Sequence, residues 1–167
     1  MNKRNIILIG MPGAGKSSVG VILAKVLGYE FIDTDLVIQH REKRLLREII
    51  ADEGNEGFLA IENEVNATLE ANKSVIAPGG SAIYGKEAME HFKEIGIIVY
   101  LKLSYEDLAK RLGNLKGRGV VLKEGQTLKD LYDERSKLYE QYAEITVDES
   151  GKDIQGTILA LREQIGM

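Results

Sequence analysis

Short apolar runs alternate along the chain with longer segments in which apolar residues recur every three or four positions. The runs lack alternating polar residues, which is typical of parallel strands that helices cover on both faces. We predict strands at residues 6–9, 29–32, 74–77, 95–101 and 145–147. We predict helices at residues 16–27, 45–51, 57–71, 104–112, 127–142 and 153–165. This order predicts an α/β fold of three layers, with a five-stranded parallel sheet flanked by helices.

The composition describes a globular chain without cysteine. Of its 167 residues 44% are hydrophobic and 29% are charged, and the net charge of −4 gives no basic excess for nucleic-acid binding. The absence of cysteine excludes disulfides, thiolate metal sites and a cysteine nucleophile, and it fits a reducing cytoplasm. The first apolar run is too short for a signal peptide or a membrane span. We therefore expect a single domain over residues 1–167 and a cytoplasmic monomer without nucleic-acid or membrane partners.

A glycine-rich motif follows the first predicted strand. Residues 10–17 read GMPGAGKS, which matches the phosphate-loop pattern GxxxxGK[ST] between a buried strand and a helix. Such a loop directs backbone N–H groups at phosphates, its lysine bridges the β- and γ-phosphates, and its hydroxyl ligates Mg²⁺. The residues expected at the nucleotide are Gly13, Ala14, Gly15, Lys16, Ser17 and Ser18. The alternative is a glycine-rich turn that carries a lysine by chance.

Two aspartates, Asp33 and Asp35, stand at the end of the second predicted strand. The carboxyl ends of strands in a doubly wound sheet face the ligand crevice, so both side chains are expected near the phosphate loop. One acid beside Mg²⁺ and one beside an acceptor hydroxyl would orient the metal shell and accept a proton. The alternative is structural, because Asp35 precedes an apolar helical segment and could cap its first turn.

The order of these motifs resembles that of the shikimate kinase family. The phosphate loop is followed by FIDTD at residues 31–35, PGGS at residues 78–81, Arg118 in a glycine-rich stretch, and RSKLYEQYA at residues 135–143. The resemblance covers nearly the whole chain. It implies a P-loop kinase fold with a lid, and ATP-dependent phosphorylation of a small polyol acid, shikimate, to shikimate 3-phosphate in aromatic amino acid biosynthesis.

The resemblance also implies roles for single residues. Lys16 and Ser17 would hold phosphates and Mg²⁺, and Asp33 would act on the metal through water. Asp35 would bind the acceptor hydroxyl and serve as the candidate base. The other implied contacts are Arg111 with adenine, Arg118 with the transferring phosphoryl group, and Phe58, Gly79, Gly80 and Arg135 with the acceptor. The acceptor-binding helical segment would lie at about residues 35–70 and the lid at about residues 113–124.

Three positions depart from the family pattern. The arginine that usually pairs with the shikimate carboxylate is Leu59 here, although the Glu62 that usually follows it is present. The third glycine of the turn is Ser81, and a usual proline in the last motif is Lys137. Leucine cannot replace a bidentate arginine–carboxylate pair. The changes at Leu59 and Lys137 therefore fall on acceptor recognition, whereas the ATP half of the pattern is intact.

These departures leave three functions open. The first is a kinase whose acceptor is shikimate, held differently. The second is a kinase of the same superfamily that acts on another small hydroxylated acceptor, such as a sugar acid or a nucleoside monophosphate. The third is a nucleotide-binding module without turnover, and the motif residues argue against it because a module that only binds nucleotide needs few of them.

A basic run at residues 40–47 lies in the predicted acceptor segment. Charged helix faces are usually only solvated. The alternative is a role in closing the acceptor site, where a basic residue could substitute for the arginine absent at Leu59. Neither His40 nor His91 has a partner at the spacing of a zinc site. Tyrosines that recur at helical spacing are interpreted as packing residues, and these are Tyr132, Tyr139 and Tyr142.

Overall fold

The described part of the chain, residues 4–113 and 125–167 of a computed structural model, is built around a sheet of five parallel strands. The strands are β1 (Asn5–Ile9), β2 (Glu30–Asp33), β3 (Ser74–Ala77), β4 (Gly96–Lys102) and β5 (Ile145–Asp148). Their order is β2-β3-β1-β4-β5, and Ile7 of β1 lies opposite Ile76 of β3 and Ile98 of β4. The predicted five-stranded parallel sheet is therefore confirmed.

Helices connect the strands on both sides of the sheet. They are α1 (Lys16–Leu27), α2 (Thr34–Glu42), α3 (Leu46–Ala67), α4 (Lys86–Ile95), α5 (Tyr105–Gly113), α6 (Leu128–Tyr142) and α7 (Ile154–Ile165), with a 3₁₀ turn at Ala82–Tyr84. Helices α2 and α4 go beyond the sequence prediction. Helix α3 joins two predicted helices across a kink at Gly54, where φ is 75°.

Each face of the sheet carries its own apolar cluster, because side chains alternate along every strand. On one face, Ile6 and Leu8 of β1 pack in a cluster with residues of α1 and α7. On the other face, Ile7 and Ile9 pack in a cluster with residues of α4, α5 and α6. Helices on both faces explain why the strands are continuously apolar, and they confirm the predicted three layers.

Helices α2 and α3 form a third apolar cluster, which is separate from the clusters on the two faces of the sheet. Ile38 of α2 packs with Ile49, Phe58 and Val65 of α3, and all four are at most 3% exposed. Leu59 is partly buried against the same cluster. This packing fixes the two helices that make up most of the predicted acceptor segment.

Tyrosines attach helix α6 to the rest of the core. The Tyr132 hydroxyl donates a 2.6 Å hydrogen bond to the carbonyl of Leu103. The ring centroid of Tyr139 lies 5.1 Å from that of Tyr100. Tyr142 packs against the same apolar cluster. The interpretation of these α6 tyrosines as packing residues is confirmed.

Within residues 4–113 and 125–167, the structure contains no helix with the length and apolarity needed to cross a membrane. The predicted lid, including Arg118, lies outside the described residues apart from Gly113, which ends α5.

Candidate active site

A cavity of about 840 Å³ lies where β1, β2 and β3 end. The phosphate loop follows β1, the two aspartates follow β2, and the glycine turn follows β3. The predicted site residues that line this cavity are Gly13, Gly15, Lys16, Ser17, Ser18, Asp33, Asp35, Phe58, Gly79, Gly80, Arg111 and Arg135. Ala14 is fully buried behind the loop, and Arg118 is outside the described residues. The fold thus brings residues from distant parts of the sequence to one cavity.

The phosphate loop turns sharply into α1. Gly15 is the N-cap of α1 and has a φ of 81°, a conformation that side-chain-bearing residues rarely adopt. The helix begins at Lys16, so its positive dipole end meets the cavity and favours an anion there. The Lys16 ammonium donates hydrogen bonds to the carbonyls of Gly10, at 2.6 Å, and Met11, at 2.9 Å. Lysine, helix end and loop together have the charge and the donors that phosphate binding requires.

Asp33 and Asp35 both line the cavity, and they differ in their relation to helix α2. Asp33 is the N-cap of α2, and its Oδ1 accepts a 2.9 Å hydrogen bond from the backbone N–H of Asp35. The alternative that Asp35 caps the helix is therefore wrong, since Asp35 stands in the first turn and its side chain lines the cavity. Burial, together with the negative charge of Asp33, raises the pKa of Asp35 to about 6, against the lowering effect of Lys16. A carboxyl with this pKa exchanges protons near neutral pH.

Glu62 brings a further carboxylate to the cavity. The hydroxyl of Ser81 donates a 2.6 Å hydrogen bond to Glu62 Oε1. Burial raises the pKa of Glu62 to about 7, although the Ser81 bond lowers it. A Cβ atom at Gly79 would lie 2.9 Å from Asp35 Oδ1 and 3.0 Å from Glu62 Oε2, so both carboxylates approach the glycine too closely for a side chain there. In the sequence Glu62 stands out only as part of the family pattern, and its place in the site is visible only in the structure.

Arg135 closes the cavity from helix α6. Only 1% of this residue is exposed, and its guanidinium carbon lies 5.5 Å from the ring centroid of Tyr84. Its Nε forms no hydrogen bond with any described residue. A Cβ atom at Gly80 would lie 3.0 Å from Arg135 Nη1, and the Tyr139 hydroxyl donates a 2.7 Å bond to the Gly80 carbonyl. The arginine and the glycine turn are therefore held together by α6.

Arg111 and Glu149 flank the other side of the phosphate loop. Arg111 Nη1 donates a 2.9 Å hydrogen bond to the Gly13 carbonyl. A Cβ atom at Gly15 would lie 3.9 Å from both Arg111 Nη1 and Glu149 Oε1. Burial raises the pKa of Glu149 to about 7, whereas the positive charges of Arg111 and Lys16 lower it. Glu149 was not predicted from the sequence, because no local pattern connects the end of β5 with the loop after β1.

Ser17 and Asp33 fit the ligands of a magnesium ion that is shared with phosphates. Both line the cavity, and they supply a hydroxyl and a carboxylate oxygen. Mg²⁺ prefers hard oxygen ligands and usually keeps waters and substrate phosphates in its shell. Among the residues that the structure describes, no group of three or more His, Cys, Asp or Glu side chains could hold a metal. Ser17 and Asp33 could complete a Mg²⁺ shell that consists mainly of phosphate and water oxygens.

Comparisons with known proteins agree with one another. Residues 12–165 match the family model described as shikimate kinase. Shikimate kinase from Vibrio cholerae serotype O1 is 37% identical over 168 residues, which cover 97% of each chain. Shikimate kinase 2 from Yersinia enterocolitica is 34% identical over 87% of this chain and 86% of its own. The structure of shikimate kinase from Acinetobacter baumannii in complex with shikimate superposes with a TM-score of 0.80 at 34% identity, over 98% of this chain and 91% of that one.

Proposed function

Since the chain belongs to the shikimate kinase family, we propose that it transfers the γ-phosphoryl group of ATP to a hydroxyl of shikimate, giving shikimate 3-phosphate and ADP. The solved relative from Acinetobacter baumannii, whose complex holds shikimate, supports this acceptor. The cavity supports it as well, because one continuous lining joins the phosphate loop to a second group of polar residues.

One observation carries the proposal, and it concerns Arg135. This arginine is buried, lines the cavity and forms no ion pair with a described carboxylate. Glu62 lies near enough for the charge of Arg135 to lower its pKa but is not at ion-pair distance, so this fixed guanidinium facing the cavity favours an anionic ligand. The carboxylate of shikimate supplies that anion, and Gly79 and Gly80 allow the ring of the acceptor to approach the backbone.

The nucleotide is assigned to the phosphate loop. The ammonium of Lys16 exchanges the carbonyls of Gly10 and Met11 for the β- and γ-phosphate oxygens of ATP. Arg111, beside Gly13, extends the nucleotide site toward adenine. Ser17 and Asp33 would hold Mg²⁺, which when bound supplies positive charge to the phosphate oxygens.

Asp35 is assigned as the base for the acceptor hydroxyl. In the transfer, the hydroxyl oxygen forms a bond to the γ-phosphorus, the bond from that phosphorus to the β–γ bridging oxygen breaks, and the hydroxyl proton passes to Asp35. With a pKa of about 6, Asp35 is mostly ionised at neutral pH and still basic enough to accept a proton. Most of the catalysis in such a site comes from positioning and charge neutralisation.

A kinase assay with a panel of acceptors tests the proposal. Purified protein with ATP and Mg²⁺ is given shikimate, D-gluconate, glucose or a nucleoside monophosphate, and ADP release and the phosphorus NMR spectrum of the product are measured. We expect turnover with shikimate and a new phosphate ester on its ring. Lys16→Ala serves as the inactive control. No turnover with shikimate, together with turnover of another acceptor, would overturn the assignment.

The presence of leucine at position 59, where the family usually has arginine, favours a second candidate function. This candidate is a kinase of the same superfamily that acts on another small hydroxylated acceptor. Leu59 packs against the apolar cluster of α2 and α3, so this position supplies no cation. A sugar acid or a nucleoside monophosphate is the class of acceptor that the same panel would then identify. Roles for Arg118 and the lid, and action as a monomeric, single-domain enzyme in the cytoplasm, remain part of the proposal.

A further inference from the structure

The basic run at residues 40–47 separates into paired and unpaired arginines. Arg41 donates a 2.8 Å hydrogen bond to Glu64. Arg44 forms ion pairs with Glu42 and Asp52, both at 3.1 Å. Arg47 has neither an ion pair nor a hydrogen-bonded side-chain partner among the described residues, although carboxylates surround the two other arginines. Ion pairs with neighbouring carboxylates therefore account for Arg41 and Arg44, whereas Arg47 is exposed and has no such partner in the described part of the chain.

Arg47 instead lines the cavity that holds Asp35, Gly79 and Arg135. It stands in the first turn of α3. The position of that turn is fixed, because the backbone N–H of Leu46 donates a 3.0 Å hydrogen bond to Gln39 of α2 and Ile49 is fully buried. The backbone of Arg47 is thus held at the cavity, while its side chain is exposed.

The placement of Arg47 does not serve the helix. A cation in the first turn faces the positive end of the helix dipole, which disfavours it. Stability of α3 therefore gives no reason for an arginine here. On the acceptor side of the cavity, Asp35 and Glu62 supply negative charge, and Arg135 is the buried cation. Arg47 pairs with neither of these carboxylates, so its charge remains available to an anionic ligand in the cavity.

We propose that Arg47, which lines the same cavity, binds the carboxylate of the acceptor and is a specificity-determining residue of this enzyme. The inference rests on the proposed function, because it takes shikimate as the anionic acceptor. A guanidinium binds a carboxylate with two parallel hydrogen bonds, which distinguishes an acid from its neutral analogues. Arg47 thereby supplies a cation that position 59 does not supply.

The test compares shikimate with shikimate methyl ester, which keeps the hydroxyls and removes the negative charge. We expect Arg47→Gln to raise KM for shikimate about tenfold or more, as for the loss of a charge-assisted hydrogen bond, with kcat changed less than about twofold. For the methyl ester, KM should be the same in Arg47→Gln and in the unchanged enzyme. Arg47→Lys should give an intermediate KM for shikimate, because it keeps the charge without the fork.

Arg44→Gln is the matched control, since it removes an arginine from the same run that is paired with Glu42 and Asp52. Its KM for shikimate should not change. Equal KM values for Arg47→Gln and the unchanged enzyme would overturn the Arg47 assignment while shikimate turnover keeps the proposed function. Absence of shikimate turnover in the unchanged enzyme would overturn the proposed function itself. Thermal unfolding of each variant checks that a raised KM does not reflect loss of folded protein.

Discussion

Ser81 and Glu62 form a buried hydrogen bond of 2.6 Å beneath the glycine turn. The serine hydroxyl is the donor, and the carboxylate that accepts it lies on α3. Serine at this position therefore gives Glu62 a hydrogen-bond donor. Its effect is not only to restrict the backbone where the family usually has glycine. It ties the turn after β3 to the helix that borders the acceptor side of the cavity.

Ser81→Ala should destabilise the protein mainly at high pH. The variant leaves Glu62 without its donor, which should lower the free energy of unfolding by about 1–3 kcal/mol at pH 8. Urea unfolding at pH 5 and pH 8 measures the effect. Ser74→Ala is the control, because the Ser74 hydroxyl is also buried but donates to the carbonyl of Asn72 and not to a carboxylate. Its effect should not depend on pH.

The raised pKa of Glu62 determines whether the free energy of unfolding rises or falls with pH. Burial raises its pKa to about 7 in the folded protein, above the value of an unfolded glutamate. A carboxyl that holds its proton more tightly when folded stabilises the protein fully at low pH, and that contribution is lost as pH rises through about 7. Glu62→Gln should therefore flatten the dependence of the unfolding free energy between about pH 5 and pH 8. An unchanged slope would contradict the raised pKa.

The pH dependence of turnover should reflect the ionisation of the Asp35 carboxyl. With a pKa of about 6, raised by burial and by the charge of Asp33 and lowered by Lys16, kcat/KM should fall as pH drops through about 6. Asp35→Asn should lower kcat by about 10²–10⁴-fold and remove this acid limb. Glu62→Gln should keep the limb, which distinguishes Asp35 from the other carboxyl in the cavity. A limb that disappears in Glu62→Gln would reassign the base.

Gly79→Ala should damage acceptor binding more than nucleotide binding. Its Cβ would lie 2.9 Å from Asp35 Oδ1 and 3.0 Å from Glu62 Oε2, so these carboxylates must move. A displacement of the base of this kind can cost about 10²-fold in kcat/KM. Calorimetric titration with ATP is the internal control, since the phosphate loop is untouched. Equal losses of ATP affinity and acceptor turnover would point to general misfolding instead.

Leu59→Arg tests whether position 59 still belongs to the acceptor site. Leu59 is partly buried against Ile38 and its neighbours, so an arginine there should lower the free energy of unfolding by about 1–3 kcal/mol. We expect no gain in kcat/KM for shikimate, because Arg47 and Arg135 already serve its carboxylate. Leu59→Met is the volume-conserving control for stability. A sharp gain in shikimate turnover would indicate that the native acceptor is a different molecule.

Local patterns were sufficient to predict the sheet and the phosphate loop. Strands that are apolar on both faces, and the motif at residues 10–17, depend on neighbours in the sequence. Helix α4 is absent from the prediction although Ala88, Met89 and Phe92 recur at helical spacing among charged residues, so its signal is present in the sequence. Helix α2 was recognised only as a possible helix start after the aspartates.

Long-range relationships could not be predicted in the same way. Glu149 reaches Arg111 and the phosphate loop only because β5 lies beside β4 in the sheet. The distinction between Arg47 and Arg44 depends on which carboxylates the kinked helix α3 places nearby. The sequence contains both arginines in one basic run, and only the tertiary structure separates an ion-paired residue from one that lines the cavity.

Because helix α6 is attached to the core, the side chain of Arg135 loses its conformational entropy on folding and not on ligand binding. Its helix is bound to the core through Tyr132 and Tyr139, and the arginine is 1% exposed. Ordering a long side chain costs up to about 2 kcal/mol, and for Arg135 that cost falls on folding and not on ligand binding. The exposed Arg47 must be ordered by the ligand itself. Arg135 is thus preorganised to orient the acceptor. Binding at Arg47 gains less affinity, because ordering its side chain costs conformational entropy.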